Sequence, residues 1–222
     1  MAKRTKAKVF SFLPASNNIS DLFIKRIPLQ GKHNLNNVLA ALSVAKVLKI
    51  PFKTVEVAVK NFKPLEYRLE KVGERQGVSF YCDSLATIPE ATIAAIDSFQ
   101  DKNLVLILGG ADRGQNFRSL AQKLKYAPNV LGVVLIGETA ERIKSSLDTV
   151  QFKGKVVELG KSSMNKIIKE SISMTTEGSI ILLSPAAASF DMFKDYKERG
   201  NEFRKVVDSL EMNNLIKHRV LE

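Results

Sequence analysis

The sequence predicts an α/β protein, a mostly parallel sheet with helices on both faces, and three observations predict it. Short apolar runs recur at 78–83, 104–108, 131–136, 155–158 and 179–183, each bounded by Gly, Pro or Ser as buried strands are. Helical stretches lie between them at 89–99, 117–125, 138–147 and 162–175, with a last helix at 191–210. Strands alternating with helices of that length form βαβ units, whose sheet is parallel and covered on both faces. The strand ends run into turns of Gly, Ser, Ala and Asp, and ligands of such sheets collect at the carboxyl ends of the strands.

A shorter first part precedes this pattern. Residues 8–12 and 21–27 alternate in polarity as two strands would, joined through Pro14-Ala15-Ser16-Asn17-Asn18. The stretch 34–49 reads as a helix whose Leu35, Val38, Leu39, Leu42, Val44, Ala45, Val47 and Leu48 make a broad buried face. A second helix follows Pro51, a residue suited to a first turn, and runs to Phe62. Lys63-Pro64 marks a boundary, dividing the chain into 1–64 and 65–222.

Composition narrows the function classes. A chain of 222 residues with 45% hydrophobic and 26% charged residues can bury a substantial core. No apolar run approaches the roughly 18 residues that span a bilayer. The N-terminus Met1-Ala2-Lys3-Arg4-Thr5-Lys6 is basic without the apolar stretch of a secretory signal, so a cytoplasmic protein is expected. Cys82 is the only cysteine, which excludes an intramolecular disulfide and a Cys-based metal site. His33 and His218 are the only histidines and have no metal-ligand spacing, so any catalytic metal is a hard ion held by phosphate and carboxylate oxygens. The net charge of +11 suggests nucleic acid, but apart from the short cluster Lys3-Arg4-Thr5-Lys6-Ala7-Lys8 its bearers are scattered, as at Arg142, Lys144, Lys153, Lys155 and Lys161, with no aromatic stacking motif among them. An anionic small substrate suits this surface better.

Five local features fall on loops or strand ends. In Gly31-Lys32-His33-Asn34-Leu35-Asn36-Asn37, Asn34 and Asn37 share one helical face and offer donors and acceptors to a base edge; capping of the helix by Asn34 is the structural alternative. In Leu65-Glu66-Tyr67-Arg68-Leu69-Glu70, Arg68 precedes an apparent strand and can reach a phosphate bidentately, or else pair with Glu70. In Asp83-Ser84-Leu85-Ala86-Thr87, Asp83 can accept from hydroxyls and Thr87 can present one to an anion, or else cap the next helix, which has Pro89 in its first turn. In Gly109-Gly110-Ala111-Asp112-Arg113-Gly114-Gln115-Asn116, the glycines permit close approach and Arg113 is a natural carboxylate or phosphate partner. Gly109 and Gly114 have P-loop spacing, but Gln115-Asn116 stands where Lys and Ser or Thr are needed. The fifth is Ser184-Pro185-Ala186-Ala187-Ala188-Ser189-Phe190, a small-residue turn running toward a helix that holds Tyr196; tight strand-to-helix packing is its structural alternative.

Taken in order, these motifs resemble the Mur ligase family over nearly the whole chain from about residue 20. The stretch from Ser184 through Phe203 is most similar to the glutamate-adding members. The resemblance implies a Rossmann-like glutamate-binding domain at 65–222, preceded at 1–64 by a small remnant of the central ATPase domain. It implies an ATP-dependent acid–amino-acid ligase of peptidoglycan precursor synthesis, working as a monomer with Mg²⁺. The substrate, UDP-N-acetylmuramoyl-L-alanine, forms an acyl phosphate that glutamate attacks. D-glutamate is favoured, with an L-glutamate-adding ligase or a non-catalytic binding module as alternatives; a folate polyglutamylating ligase fits the 184–203 stretch poorly.

By the same resemblance Asn34 and Asn37 face adenine, Asp83 the ribose and Arg68 the phosphates, where it acts in catalysis. Thr87, Arg113, Ser189, Phe190 and Tyr196 form the pocket for incoming glutamate. Tyr67, Leu85 and Arg113 stand where the family pattern usually has His, Lys and Lys. The P-loop, the main magnesium carboxylates and the UDP pocket belong to family domains that the resemblance does not cover. The expectation is that these 222 residues alone do not ligate.

Overall fold

The computed structural model describes residues 31–63 and 65–210, together with Ile27. Of the two strands expected in the first part, 8–12 lies wholly, and 21–27 almost wholly, outside the described residues, as does His218. The chain divides into two compact units, Met1–Pro64 and Leu65–Glu222.

In the first unit, α1 (Lys32–Val47) and α2 (Phe52–Lys60) pack against each other. Helix α1 ends in a Schellman arrangement: Lys49 donates to Lys46 O at 3.1 Å and Ile50 to Ala45 O at 2.9 Å. Lys49 takes the left-handed conformation (φ 57°) that glycine usually supplies there. Val38, Leu39 and Ala45 are buried as the periodicity predicts, but Val44, Val47 and Leu48 are exposed because no described element covers that side of α1.

The second unit is a six-stranded sheet in the order β1-β2-β6-β3-β4-β5. Its strands are β1 (Glu70–Arg75), β2 (Val78–Cys82), β3 (Leu104–Gly109), β4 (Val130–Ile136), β5 (Lys155–Gly160) and β6 (Ile180–Leu183). Only β1 is antiparallel to its neighbour. The run of candidate strands omits β1, and its composition explains why. Glu70-Lys71-Val72-Gly73-Glu74-Arg75 is mostly polar and carries a bulge between Lys71 and Gly73, as an edge strand does. It turns into β2 through Gln76 and Gly77, both at positive φ (50° and 72°), the geometry of a two-residue hairpin.

Among its described residues the helices are α3 (Pro89–Asp97), α4 (Arg118–Lys125), α5 (Ala140–Thr149), α6 (Met164–Ile172) and α7 (Tyr196–Ser209). Alternate residues of β3 enter opposite cores. Leu104, Leu106 and Leu108 meet Ile96, Leu120 and Leu147 from α3, α4 and α5. Val105 and Ile107 meet Ile167 and Ile168 of α6 and Phe203 and Val207 of α7. Burial of a ring such as Phe203 contributes roughly 1.5–3 kcal/mol.

Helix α7 begins at Tyr196, five residues later than the apolar pattern suggests. Asp195 caps it by accepting from Glu198 N at 2.8 Å, and 191–194 are held in a turn instead. After β5 the chain returns to insert β6 between β2 and β3, so strand order reverses there. A reversal of this kind opens a crevice at the carboxyl ends of the strands.

Candidate functional site

The loops leaving β2, β3, β4 and β6 are tied into one framework at those carboxyl ends. Gly109 N donates to Pro185 O at 2.7 Å, and Ala111 N to Ala188 O at 2.8 Å. Ala186 N donates to Ala86 O at 2.9 Å, and Thr139 N to Gly110 O at 3.0 Å. Thr139 Oγ1 in turn accepts from Gly110 N at 3.0 Å. This closeness requires glycine at 110: with φ at 155°, a Cβ there would lie 2.1 Å from Ala188 O.

Asp83 sits inside the framework at 5% exposure. Its Oδ1 accepts from Leu69 N at 3.2 Å and its Oδ2 from Ser184 Oγ at 2.8 Å. Thr92 Oγ1 on α3 donates to Ser184 O at 3.0 Å. Burial pushes the Asp83 carboxyl up to about 6, opposed by the bonds from Ser184 and Leu69 and by the charge of Arg68.

Arg68 itself is exposed, between Tyr67 (φ 62°) and Leu69 (φ 46°). Two left-handed non-glycine residues cost conformational energy. The segment is held by Tyr67 N donating to Glu70 Oε2 at 2.8 Å, Tyr67 OH to Asn201 Oδ1 at 2.8 Å, and Leu85 N to Tyr67 O at 3.1 Å. Glu70 pairs with Arg204 at 3.0 Å, so the Arg68–Glu70 pair that spacing allows gives way to one with α7.

Several expected pocket residues come together. The Arg113 guanidinium lies 4.9 Å from the centre of the Phe190 ring, a cation–π contact between the β3 and β6 loops. Ser189, beside Phe190, is 2% exposed. Tyr196 stands at the start of α7, its ring edge-on to Tyr67 at 5.8 Å and its carbonyl accepting from Ser84 Oγ at 2.8 Å. Thr87 is half-buried and does not cap α3, whose N-cap is Ile88 with Pro89 in the first turn. Among the described residues no side-chain hydrogen bond engages the hydroxyls of Thr87 or Ser189, and no carboxylate pairs with Arg113. Asn34 and Asn37 belong to the first unit, where Asn37 Nδ2 donates to Asn34 Oδ1 at 3.4 Å. Asn34 lies within α1, which is capped by Gly31.

Sequence reasoning passed over two charged groups. Asp191 Oδ2 accepts from Glu138 N at 2.9 Å, tying the β6 turn to the β4 loop. Arg199 is fully buried and hydrogen-bonded to the β2 and β6 loops. Its signal was available, because Arg199 falls on the same helical face as Phe203, Val206 and Val207. Burial draws its pKa down to about 10, against the opposing charge of Asp191, and it stays cationic at neutral pH.

Among the described residues no group of three or more His, Cys, Asp or Glu side chains could hold a metal ion. No described helix is long and apolar enough to cross a membrane. A shallow cleft of about 350 Å³ lined by Leu124, Val130, Leu131 and Phe152 lies at the amino end of β4, away from these loops.

Residues 67–187 match the family model described as Mur ligase, glutamate ligase domain. The UDP-N-acetylmuramoylalanine--D-glutamate ligase of Caldanaerobacter subterraneus subsp. tengcongensis is 34% identical over 225 residues, covering 95% of this chain and 49% of the relative. The chain thus spans about half the length of that relative. Among solved structures, UDP-N-acetylmuramate-alanine ligase MurC from Thermotoga maritima superposes with a TM-score of 0.59 at 17% identity, covering 82% of this chain and 39% of the other. The MurF ligase from Thermotoga maritima in complex with ADP gives 0.55 at 17%, covering 80% and 39%.

Proposed function

The chain belongs to the Mur ligase family, and from that membership we propose that it carries the glutamate-binding end of an ATP-dependent ligase joining D-glutamate to UDP-N-acetylmuramoyl-L-alanine. The observation that carries the proposal is the contact of Arg113 with Phe190, next to Ser189 on the turn whose Ala186 N bonds Ala86 O, the neighbour of Thr87; no described side chain engages the hydroxyls of Thr87 and Ser189. One guanidinium and two hydroxyls suit a small dicarboxylate, and the exposed Phe190 ring, 60% accessible, gives its methylenes an apolar wall. The D enantiomer is favoured because the relative that this chain resembles over 95% of its length is named for D-glutamate.

In the proposed reaction the alanyl carboxylate attacks the γ-phosphorus of ATP, expelling ADP and leaving an acyl phosphate. The glutamate amine then adds to the acyl carbon, and phosphate departs as the amide forms. Arg113, Thr87 and Ser189 bind the amino acid and aim its amine, a contribution made by positioning. Arg68, exposed at the edge of the unit, faces the phosphates, and Asp83 keeps spare lone pairs for a ribose hydroxyl. Asn34 and Asn37 take the adenine. Mg²⁺ supplies charge neutralisation to such phosphoryl transfers.

The proposal includes the reading of 1–64 as the end of an ATP-binding domain and of 65–222 as the glutamate domain, in a cytoplasmic, monomeric enzyme. No segment of the 222 residues has the full Gly-x-x-x-x-Gly-Lys-Ser/Thr spacing, so turnover by this chain alone is not expected. The test is titration of the chain with D-glutamate, L-glutamate and D-aspartate, following backbone amide shifts. Saturable shifts at Thr87, Arg113 and Ser189 with D-glutamate only are expected. Indifference of those amides to D-glutamate overturns the reading, and stronger binding of L-glutamate reverses the stereochemistry.

A further inference from the structure

Arg199 is the largest fully buried side chain in the described structure. Its Nε donates to Ser84 Oγ at 2.9 Å, Nη2 to Ser84 O at 2.9 Å, and Nη1 to Ala187 O at 3.2 Å. Among the described residues no carboxylate lies within ion-pair distance of it. Burying a cation without a counter-ion is costly, so every contact it makes matters to the local conformation. Those contacts go to two different loops. Ser84 lies three residues before Thr87 on the loop from β2, and Ala187 lies two residues before Ser189 on the turn from β6. Ser84 Oγ in turn donates to Tyr196 O at 2.8 Å, closing a circuit through the first turn of α7. Gly110 completes the fit, since a Cβ there would come 3.2 Å from Nη1.

We propose that Arg199 is a positioning residue for the incoming amino acid: its forked guanidinium sets the separation of the Thr87 loop and the Ser189–Phe190 turn, so that both hydroxyls meet one ligand. It does not touch the ligand. A planar fork reaching a hydroxyl and two carbonyls at once does what the single ammonium of lysine cannot. The proposal rests on the glutamate-pocket reading above.

The test compares the chain with its Arg199→Lys, Arg199→Met and Val207→Ala variants. Each is titrated with D-glutamate, and amide hydrogen exchange is followed at 85–87, 187–190 and, as a reference, the β3 core at 105–108. Arg199→Lys keeps the charge and is expected to fold. It should bind D-glutamate about tenfold more weakly, the loss of one charge-assisted hydrogen bond. Both loops should exchange faster in it while β3 is unchanged. Val207→Ala loosens the same helix without touching either loop, and its affinity should stay within about twofold of the parent. If Arg199→Met does not fold, Arg199→Lys carries the comparison. Unchanged loop protection in Arg199→Lys, or an equal loss of affinity in Val207→Ala, overturns the proposal. Failure of the unsubstituted chain to bind glutamate overturns the pocket reading and the positioning role with it, whereas unchanged loop protection in Arg199→Lys beside intact binding by the parent overturns the positioning role alone.

Discussion

Ser184 Oγ donates a hydrogen bond to Asp83 Oδ2 at 2.8 Å, joining the carboxyl ends of the neighbouring strands β6 and β2. The carboxyl is buried and its pKa stands at about 6. An acid whose folded pKa exceeds its unfolded value near 3.9 stabilises the fold while protonated. That contribution is present below about pH 4 and lost as pH rises through 6, on the order of 3 kcal/mol in all. Asp83→Asn removes the titration. Measured by urea unfolding from pH 4 to 7, the stability of the parent should therefore fall relative to the variant; a constant difference across that range refutes the assignment.

Gly110→Ala places a Cβ 2.1 Å from Ala188 O, against backbone that cannot swing away. The loops of β3 and β6 would have to separate, breaking the bond from Ala111 N to Ala188 O. A loss of about 3 kcal/mol or more is expected, read as a lowered unfolding midpoint.

Phe190→Ala frees the guanidinium of Arg113 from its stacked position. Because the ring is 60% exposed, stability should change by less than about 1 kcal/mol. The D-glutamate dissociation constant should nevertheless rise by about fivefold or more, since Arg113 loses the contact that orders it. Calorimetric titration beside a melting curve separates the two effects.

Tyr67→Phe deletes the donor to Asn201 Oδ1 while keeping the edge-on ring contact with Tyr196 and the Arg204 side chain 5.7 Å above it. A cost of about 1 kcal/mol is expected. Loosening of the Tyr67 segment should show as faster exchange of the amides of Leu69 and Leu85, both bonded to this corner.

Much of the second unit is legible from local pattern. The runs at β2, β3, β4 and β6 are apolar enough to announce buried strands, that at β5 marks an edge strand only partly covered, and the turns after β2, β3 and β6 carry the expected pocket residues. The strand β1 escapes that pattern because an edge strand needs no apolar face on both sides and Gly73 breaks its alternation. On α1 the apolar periodicity overstates burial: Val44, Val47 and Leu48 are exposed although they share the helical pattern of Val38 and Leu39. Amphipathic spacing says which residues could be covered, and only neighbouring elements decide which are.

The sequence by itself determined the α/β alternation, the order of the loops and the residue types placed on them, because periodicity and turn chemistry act over a few neighbouring residues. Tertiary structure alone decided that β6 inserts between β2 and β3, bringing Ser184 to Asp83 and Phe190 under Arg113. It also decided that Arg199 spans 115 residues of chain to reach Ser84. Contacts of that separation are selected by the packing of whole elements and by the need of a buried cation for acceptors, and no local spacing records them.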